Sequence, residues 1–79
     1  MRSCVIGSGS FGTALANTLA VNCEQVRLWG RDAALAEAIN TRHENATYLP
    51  GIPLSPRVRA TLQLEEALQG AELVITGVS

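Results

Sequence analysis

Residues 4–12 read Cys-Val-Ile-Gly-Ser-Gly-Ser-Phe-Gly, a short apolar run followed at once by three glycines in the spacing Gly-x-Gly-x-x-Gly. This spacing predicts a tight turn from a β-strand into an α-helix. Gly7 allows the turn, Gly9 lets a diphosphate approach the backbone, and Gly12 lets the helix pack closely on the sheet. Backbone N–H groups and the positive end of the helix dipole then bind the anion without a lysine. Because such turns also occur for conformational reasons alone, the motif needs support from the rest of the chain.

The spacing of apolar residues along the chain alternates between that of strands and that of helices. It predicts strands at residues 2–6, 25–29, 57–62 and 73–78, and helices beginning at Ser10, after Asp32 and near residue 64. Asn22 is a suitable stop for the first helix, Asp32 a good N-cap for the second, and Gly70 a typical C-terminal glycine for the third. The order predicts an α/β fold, a Rossmann-type doubly wound parallel sheet with its ligand beyond the carboxyl ends of the strands.

The same spacing predicts which side chains are buried. The residues expected to face the sheet are Ala14, Leu15, Leu19 and Ala20 in the first helix, Leu35, Ala38 and Ile39 in the second, and Leu64, Ala67 and Leu68 in the third. In the third strand, Val58, Ala60 and Leu62 form the drier face. The fourth strand is apolar throughout, which favours a central position in the sheet.

Composition bounds the size and the partners of this region. At 79 residues the chain is about half of a usual dinucleotide-binding domain, so we expect the first four strands and a fragment of a larger domain. The formal net charge is −1, the six arginines are scattered, and lysine is absent. A basic stripe for phosphate backbones is therefore lacking, which argues against nucleic acid as a partner.

The cysteines and the first residues predict a cytoplasmic location. Cys4 and Cys23 are too far apart for a Cys-x-x-Cys redox or zinc pattern, and we expect two buried free thiols. The apolar run after Met1 reaches Gly7 before a signal-peptide core can develop, and no run has membrane-spanning length. A reducing compartment and no membrane insertion fit both observations.

The end of the second predicted strand, Trp29-Gly30-Arg31-Asp32, lies where dinucleotide sites recognise the adenosine ribose. An acidic residue there binds the 2′-hydroxyl of NAD, whereas the planar fork of an arginine suits the 2′-phosphate of NADP. Arg31 therefore favours NADPH, against the alternative of a merely solvated arginine. Asp32 could be a displaced ribose ligand, but a helix begins directly after it and helix capping is the better interpretation.

Three further side chains are candidate cofactor contacts. Ser10 and Phe11 occupy the glycine-rich turn, where a hydroxyl can reach phosphate oxygens and a ring can flank the cofactor, although Phe11 fits a core position equally well. Tyr48 opens a segment, residues 48–56, that holds all three prolines and predicts an ordered loop packed on the fold through Leu49, Ile52 and Leu54. The ring of Tyr48 could border the adenine side or pin this loop, and pinning is favoured.

Catalytic and metal-binding constellations are not visible in this sequence. His43, the single histidine, lies in a polar stretch and is best interpreted as a solvated loop residue. Glu65 and Glu66 are adjacent, so they point in different directions from a helix and resemble a solvated first turn. We therefore assign no catalytic residue and no metal ligand within these 79 residues.

Three segments together resemble a known family. They are residues 7–16, Gly-Ser-Gly-Ser-Phe-Gly-Thr-Ala-Leu-Ala; residues 26–32, Val-Arg-Leu-Trp-Gly-Arg-Asp; and Asn45 with residues 48–54, Tyr-Leu-Pro-Gly-Ile-Pro-Leu. They closely resemble the N-terminal part of bacterial NAD(P)-dependent glycerol-3-phosphate dehydrogenase, and the resemblance covers the whole chain. Phe11 stands where the family more often has tryptophan or tyrosine, and Ser79 where a proline usually follows.

The resemblance implies reversible reduction of dihydroxyacetone phosphate to sn-glycerol 3-phosphate with NAD(P)H, for glycerophospholipid biosynthesis. It places Ser10, Phe11, Arg31 and Tyr48 at cofactor-contacting positions. By the same resemblance, the catalytic lysine and a helical domain for the phosphorylated small-molecule substrate lie beyond residue 79, so these residues alone would not turn over. A homodimer remains open. Two alternatives also stay open: a non-catalytic dinucleotide-binding or redox-sensing module, and a reductase of another small hydroxy or imino acid.

Overall fold

In the computed structural model, which describes residues 1–77, strand β1 (Arg2–Ile6) lies inside a four-stranded sheet. Strand β2 (Gln25–Trp29) pairs with one edge of β1 and strand β4 (Leu73–Thr76) with the other. Strand β3 (Val58–Thr61) pairs with β2, so the order is β3-β2-β1-β4. All three pairings are parallel, which confirms the predicted sheet.

Helices cover both faces of this sheet. Helices α1 (Ser10–Leu19) and α2 (Ala33–Arg42) connect β1 to β2 and β2 to β3. Helix α3 (Leu64–Leu68) connects β3 to β4, back across the sheet. Since crossovers between parallel strands are right-handed, reversing the direction of winding places α3 on the opposite face. The reversal occurs beside β1, so the crevice of an α/β sheet is expected beyond the carboxyl ends of β1 and β4.

The larger part of the core lies between the sheet and helices α1 and α2. Val5, Val26 and Leu28 are fully buried there and pack with Ala16 of α1 and Ile39 of α2. On the other face, Ala67 of α3 is 1% exposed. Burial of aliphatic side chains contributes about 25 cal/mol per Å² of apolar surface, so this cluster is the main source of stability.

The predicted start of α2 is confirmed by its N-cap. The side chain of Asp32 accepts a hydrogen bond from the N–H of Leu35 at 3.1 Å, which satisfies one of the unpaired N–H groups at the start of the helix. The predicted capping role of Asp32 is therefore confirmed. At the other end His43 adopts a left-handed backbone with φ 53°, the conformation that commonly closes a helix.

The proline-containing loop is held by polar groups as well as by apolar packing. Leu54 is 4% exposed within the core cluster, which confirms that the loop packs on the fold. Asn17 of α1 accepts a hydrogen bond from the N–H of Ser55 at 2.8 Å and donates to the carbonyl of Pro53 at 3.3 Å. Tyr48 and Ile52 remain half exposed, so neither ring nor side chain pins the loop in the core.

Only part of the face predicted for α1 is buried. Ala20 is 2% exposed and Leu19 packs against the core, as predicted, whereas Ala14 and Leu15 are only partly covered. Gly12, Thr13 and Ala16 are also buried, because the close contact of Gly12 with the end of β1 brings small residues to the interface. Helix α1 also ends at Leu19, three residues before Asn22, with Ala20 as its C-cap.

Several predictions for the second half of the chain are wrong in detail. Leu62 lies outside β3 and is exposed, and α3, only five residues long, exposes Leu64 and Leu68. Strand β4 occupies an edge of the described sheet, and its Val74 is 46% exposed. An apolar strand predicts that its faces are suited to burial but does not specify which of its edges is paired. The predicted Val78 of this strand lies outside the described residues.

Candidate functional site

The turn between β1 and α1 brings three backbones into direct contact. Gly7 has φ 115°, a conformation that side-chain-bearing residues rarely adopt. A Cβ on Gly7 would lie 2.7 Å from the carbonyl oxygen of Gly77, and a Cβ on Gly12 would lie 1.9 Å from that of Gly7. The structure therefore confirms the predicted conformational roles of the first and third glycines of the motif.

Gly9 differs from these two glycines, because no atom of residues 1–77 occupies the space where its side chain would lie. Its backbone is extended, with φ −72° and ψ −170°, and a Cβ built on it would meet no atom within 4 Å. Neither backbone strain nor internal packing thus requires a glycine at this position. A bare backbone here leaves room for a group outside residues 1–77, as expected where a diphosphate approaches the turn.

Helix α1 begins at this turn without a side-chain cap. Gly9 is its N-cap, no side chain among residues 1–77 accepts a hydrogen bond there, and its first turn holds no acidic residue. The first N–H groups of a helix have no partner within the helix, and they carry the positive end of its dipole. Ser10 and Phe11, the first two residues of α1, are both exposed, and Phe11 is 59% exposed. The core position considered for Phe11 is therefore wrong, and the uncapped N-terminus is suited to an anion.

The carboxyl end of β2 lies against the turn. The N–H of Gly7 donates to the carbonyl of Trp29 at 2.8 Å, and a Cβ on Gly30 would lie 2.1 Å from the hydroxyl oxygen of Ser8. Just beyond, the guanidinium of Arg31 lies 5.6 Å from the ring centroid of Trp29, within the range of a cation–π contact. Arg31 is exposed, so its cationic fork remains accessible at the edge of the site.

Trp29 is itself fixed in place. Its indole Nε1 donates to the carbonyl of Leu62 at 3.0 Å, which ties the end of β2 to the residue that follows β3. The ring beneath Arg31 therefore has a defined position. An arginine stacked on a fixed ring is held near the carboxyl end of the strand, where the sequence predicted recognition of the ribose.

A buried polar cluster beneath the turn was not predicted from the sequence. Asn45 and Thr13 are both 0% exposed, and the Asn45 Nδ2 donates to the Thr13 hydroxyl at 2.7 Å. Both side chains also donate to the carbonyl of Ser8, at 3.2 Å from Asn45 and 3.1 Å from Thr13. Thr13 follows the last glycine of the motif, and Asn45 is part of the family resemblance. An asparagine just before a proline-containing loop gives no signal of its own that it is buried.

Tyr48 is connected to the site by a hydrogen bond to the same polar cluster. Its N–H donates to the Asn45 Oδ1 at 3.1 Å, while its ring is 50% exposed. The backbone of the loop is thus connected to the glycine-rich turn through Asn45, and the ring of Tyr48 is free to contact a ligand. The half-covered ring does not reach the core, and it is the N–H of Tyr48 that fastens this part of the loop.

The remaining titratable residues do not assemble into a reactive centre. Glu65 and Glu66 lie exposed in the first turn of α3, as expected. Cys4 and Cys23 are buried free thiols, and the Cys23 sulfur lies 3.2 Å from the Ser3 hydroxyl. Across the described residues 1–77, no cluster of three metal-ligating side chains occurs.

His43 departs from its predicted environment. It is partly buried, and its Nδ1 has no hydrogen-bond partner among residues 1–77. It lines a cavity of about 270 Å³ together with Arg42, Glu44 and Ile52. His43 is therefore not a freely solvated loop residue.

A parallel sheet of order β3-β2-β1-β4 with a glycine-rich turn at the start of α1 defines a Rossmann-type nucleotide-binding unit. In the part of the chain that the structure describes, no helix has the length and apolar character of a membrane-crossing segment. Residues 2–79 match the family described as NAD-dependent glycerol-3-phosphate dehydrogenase N-terminus. The chain belongs to this family.

Curated relatives and solved structures agree with that assignment. Glycerol-3-phosphate dehydrogenase [NAD(P)+] of Myxococcus xanthus is 73% identical over 75 residues, which cover 95% of this chain and 22% of that protein. The protein of the same name from Stenotrophomonas maltophilia is 55% identical and covers 90% and 21%. The chain thus spans about a fifth of the length of these relatives.

Two solved structures show the same fold. The structure of glycerol-3-phosphate dehydrogenase from Saccharomyces cerevisiae matches with a TM-score of 0.90 and 32% identity, over 99% of this chain and 26% of that chain. That from Coxiella burnetii matches with a TM-score of 0.84 and 31% identity, over 95% and 23%.

Proposed function

We propose that this chain is the cofactor-binding part of an oxidoreductase that reversibly reduces dihydroxyacetone phosphate to sn-glycerol 3-phosphate with NAD(P)H. The uncapped N-terminus of α1 beside the open backbone of Gly9 is the observation that carries cofactor binding. The names of the relatives from Myxococcus xanthus and Stenotrophomonas maltophilia support the substrate and the reaction. The product is a precursor of glycerophospholipids, which gives the enzyme its place in lipid metabolism.

The residues of the turn fit the diphosphate of a dinucleotide. Gly7 and Gly12 give the turn its shape, Gly9 admits the ligand, and the N–H groups at the start of α1 donate to phosphate oxygens. The hydroxyl of Ser10 and the ring of Phe11 are exposed on the same first turn and are proposed as further contacts. Tyr48 is a candidate contact from the adjacent loop.

Arg31 is proposed to distinguish the two nicotinamide cofactors. Its guanidinium is accessible, lies over Trp29 and follows the carboxyl end of β2, where a 2′-phosphate is recognised in this fold. A planar guanidinium can donate two parallel hydrogen bonds to phosphate oxygens. We therefore propose NADP as the favoured cofactor, with NAD as a second substrate of the same site.

The bound nicotinamide supplies the hydride, whereas the residues of this chain bind and orient it. Lysine is absent from these 79 residues, and the relatives are about five times longer. We infer that the acid/base residue and the groups that bind the phosphorylated substrate lie in another part of the protein. Buried free thiols fit a cytoplasmic location, and assembly into a homodimer is compatible with this function.

Calorimetric titration of the full-length protein with NADPH and NADH tests the cofactor site. We expect one molecule to bind per chain, with tighter binding of NADPH. A parallel assay follows oxidation of NADPH in the presence of dihydroxyacetone phosphate. Binding without turnover on this substrate would contradict the proposed reaction, and no binding of either nucleotide would contradict the cofactor site itself.

A further inference from the structure

Asn45 uses both ends of its side-chain amide inside the protein. Its Nδ2 donates to the Ser8 carbonyl at 3.2 Å and to the Thr13 hydroxyl at 2.7 Å, and its Oδ1 accepts from the N–H of Tyr48 at 3.1 Å. The side chain is completely buried. Thr13 also donates to the Ser8 carbonyl, so this single oxygen accepts two hydrogen bonds from below the turn.

These two hydrogen bonds fix the orientation of the peptide group between Ser8 and Gly9. In a trans peptide the carbonyl oxygen and the amide hydrogen point in opposite directions. Because the Ser8 oxygen is held toward the buried Asn45 and Thr13, the N–H of Gly9 points away from them. The structure records no acceptor among residues 1–77 for this N–H, which is therefore free to donate to a ligand.

Without such restraint the turn could present the opposite face of this peptide. A glycine follows the peptide bond, and glycine populates positive and negative φ about equally, so rotation of the Ser8–Gly9 peptide meets little steric resistance. A rotated peptide would direct the Ser8 oxygen, which carries partial negative charge, toward the anion site. The glycine that admits the ligand thus also makes the orientation of the turn dependent on its hydrogen bonds.

We propose that Asn45 is a positioning residue for the diphosphate-binding turn: by holding the Ser8 carbonyl inward, together with Thr13, it keeps the Gly9 N–H directed at the ligand. This proposal rests on the proposed function, because it names a further residue of the same cofactor site. Asn45 does not touch the cofactor. It acts through the peptide group of Ser8 and Gly9.

The chain provides a matched control for this role. Asn17 also bridges α1 and the proline-containing loop with both ends of its amide, through Ser55 and Pro53. Its bonds lie at the far end of the loop, away from Ser8. Loss of loop anchoring alone would therefore affect the Asn17→Ala and Asn45→Ala proteins alike, whereas loss of peptide orientation affects only the second.

The test compares two probes on the full-length protein by calorimetric titration. ADP-ribose contains the diphosphate, whereas adenosine 2′-phosphate has the adenine and the 2′-phosphate without it. For Asn45→Ala we expect the affinity for ADP-ribose to fall roughly tenfold to a hundredfold, which corresponds to one lost hydrogen bond to a charged group. Affinity for adenosine 2′-phosphate should stay within about twofold, as should both affinities of Asn17→Ala.

Thr13→Val and Thr13→Ser provide a second pair if Asn45→Ala does not fold. The valine removes the hydroxyl and should selectively lower the affinity for ADP-ribose. The serine keeps the hydroxyl and should restore this affinity. A crystal structure of unliganded Asn45→Ala should show the Ser8–Gly9 peptide rotated. Unchanged binding of ADP-ribose by Asn45→Ala, or equal loss for both probes, would overturn the proposal. Failure of the unmodified protein to bind NADPH would instead remove the proposed function on which it rests.

Discussion

A Cβ added to Gly12 would lie 1.9 Å from the carbonyl oxygen of Gly7, so helix α1 and the end of β1 touch through their backbones alone. This oxygen belongs to the main chain of Gly7, whose φ is 115°, and it cannot move aside as a flexible side chain could. This contact sets the distance between the first helix and the sheet.

The first prediction follows from that contact. Gly12→Ala should lower the free energy of unfolding by about 3 kcal/mol, the upper part of the range for an overpacked site. Chemical denaturation of the variant and the unmodified protein measures the difference. If the variant were as stable as the unmodified protein, the close approach of α1 to β1 would be wrong.

Gly9→Ala should separate binding from stability. Its Cβ would meet nothing within 4 Å, and its φ of −72° is accessible to alanine, so the free energy of unfolding should change by less than about 1 kcal/mol. The methyl group would nevertheless occupy the space proposed for the diphosphate, and we expect affinity for NADPH to fall at least about tenfold. Titration and denaturation of the same preparation give both values. Wild-type affinity in this variant would place the diphosphate elsewhere.

Arg31→Asp should lower the affinity for NADPH more than the affinity for NADH. Loss of a charge-assisted hydrogen bond to the 2′-phosphate predicts roughly a tenfold to hundredfold decrease in affinity for NADPH, with a smaller change for NADH. Arg59, an exposed arginine of β3, provides the control because Arg59→Asp makes the same change of charge. Equal losses of NADPH and NADH in Arg31→Asp would exclude the 2′-phosphate contact.

The stability of the fold should decrease in alkaline solution because of Cys4. Burial raises the pKa of its thiol above the ordinary value of 9.0, although the nearby Arg27 cation partly opposes this. The folded state therefore favours the neutral thiol, and this contribution is complete below pH 9 and is lost as the pH rises through the raised pKa. Above pH 9 the free energy of unfolding should fall more steeply with pH for the unmodified protein than for Cys4→Ala. Parallel slopes would contradict the prediction.

Local sequence patterns predicted the elements of this fold well, because each of them has a local cause. The alternation of Val26 and Leu28 with polar neighbours specified β2, and Asp32 specified the start of α2 through its own side chain. The parallel sense of the sheet also follows from alternating strands and helices. These features depend on residues close together in the chain.

The features that were missed depend on residues far apart. Asn45 and Ser8 are separated by 37 positions, and nothing in the neighbourhood of Asn45 indicates that its amide reaches the turn. Likewise, the exposure of Leu68 and Val74 depends on how many neighbours the fold brings to α3 and β4, which their own hydrophobicity does not reveal. The burial of Gly12 and Thr13 in α1 was missed because the backbone contact of Gly12 with Gly7 brings this side of the helix against the sheet.

The bare start of α1 has a cost for the unliganded protein. A glycine N-cap such as Gly9 stabilises a helix less than serine, asparagine or aspartate does, by about a few tenths of a kcal/mol, because it provides no side chain for the first N–H groups. The first N–H groups of α1 thus lack a side-chain partner in the unliganded protein, and phosphate oxygens of the bound nucleotide would accept their hydrogen bonds. The melting temperature of this protein should consequently rise with the concentration of free cofactor.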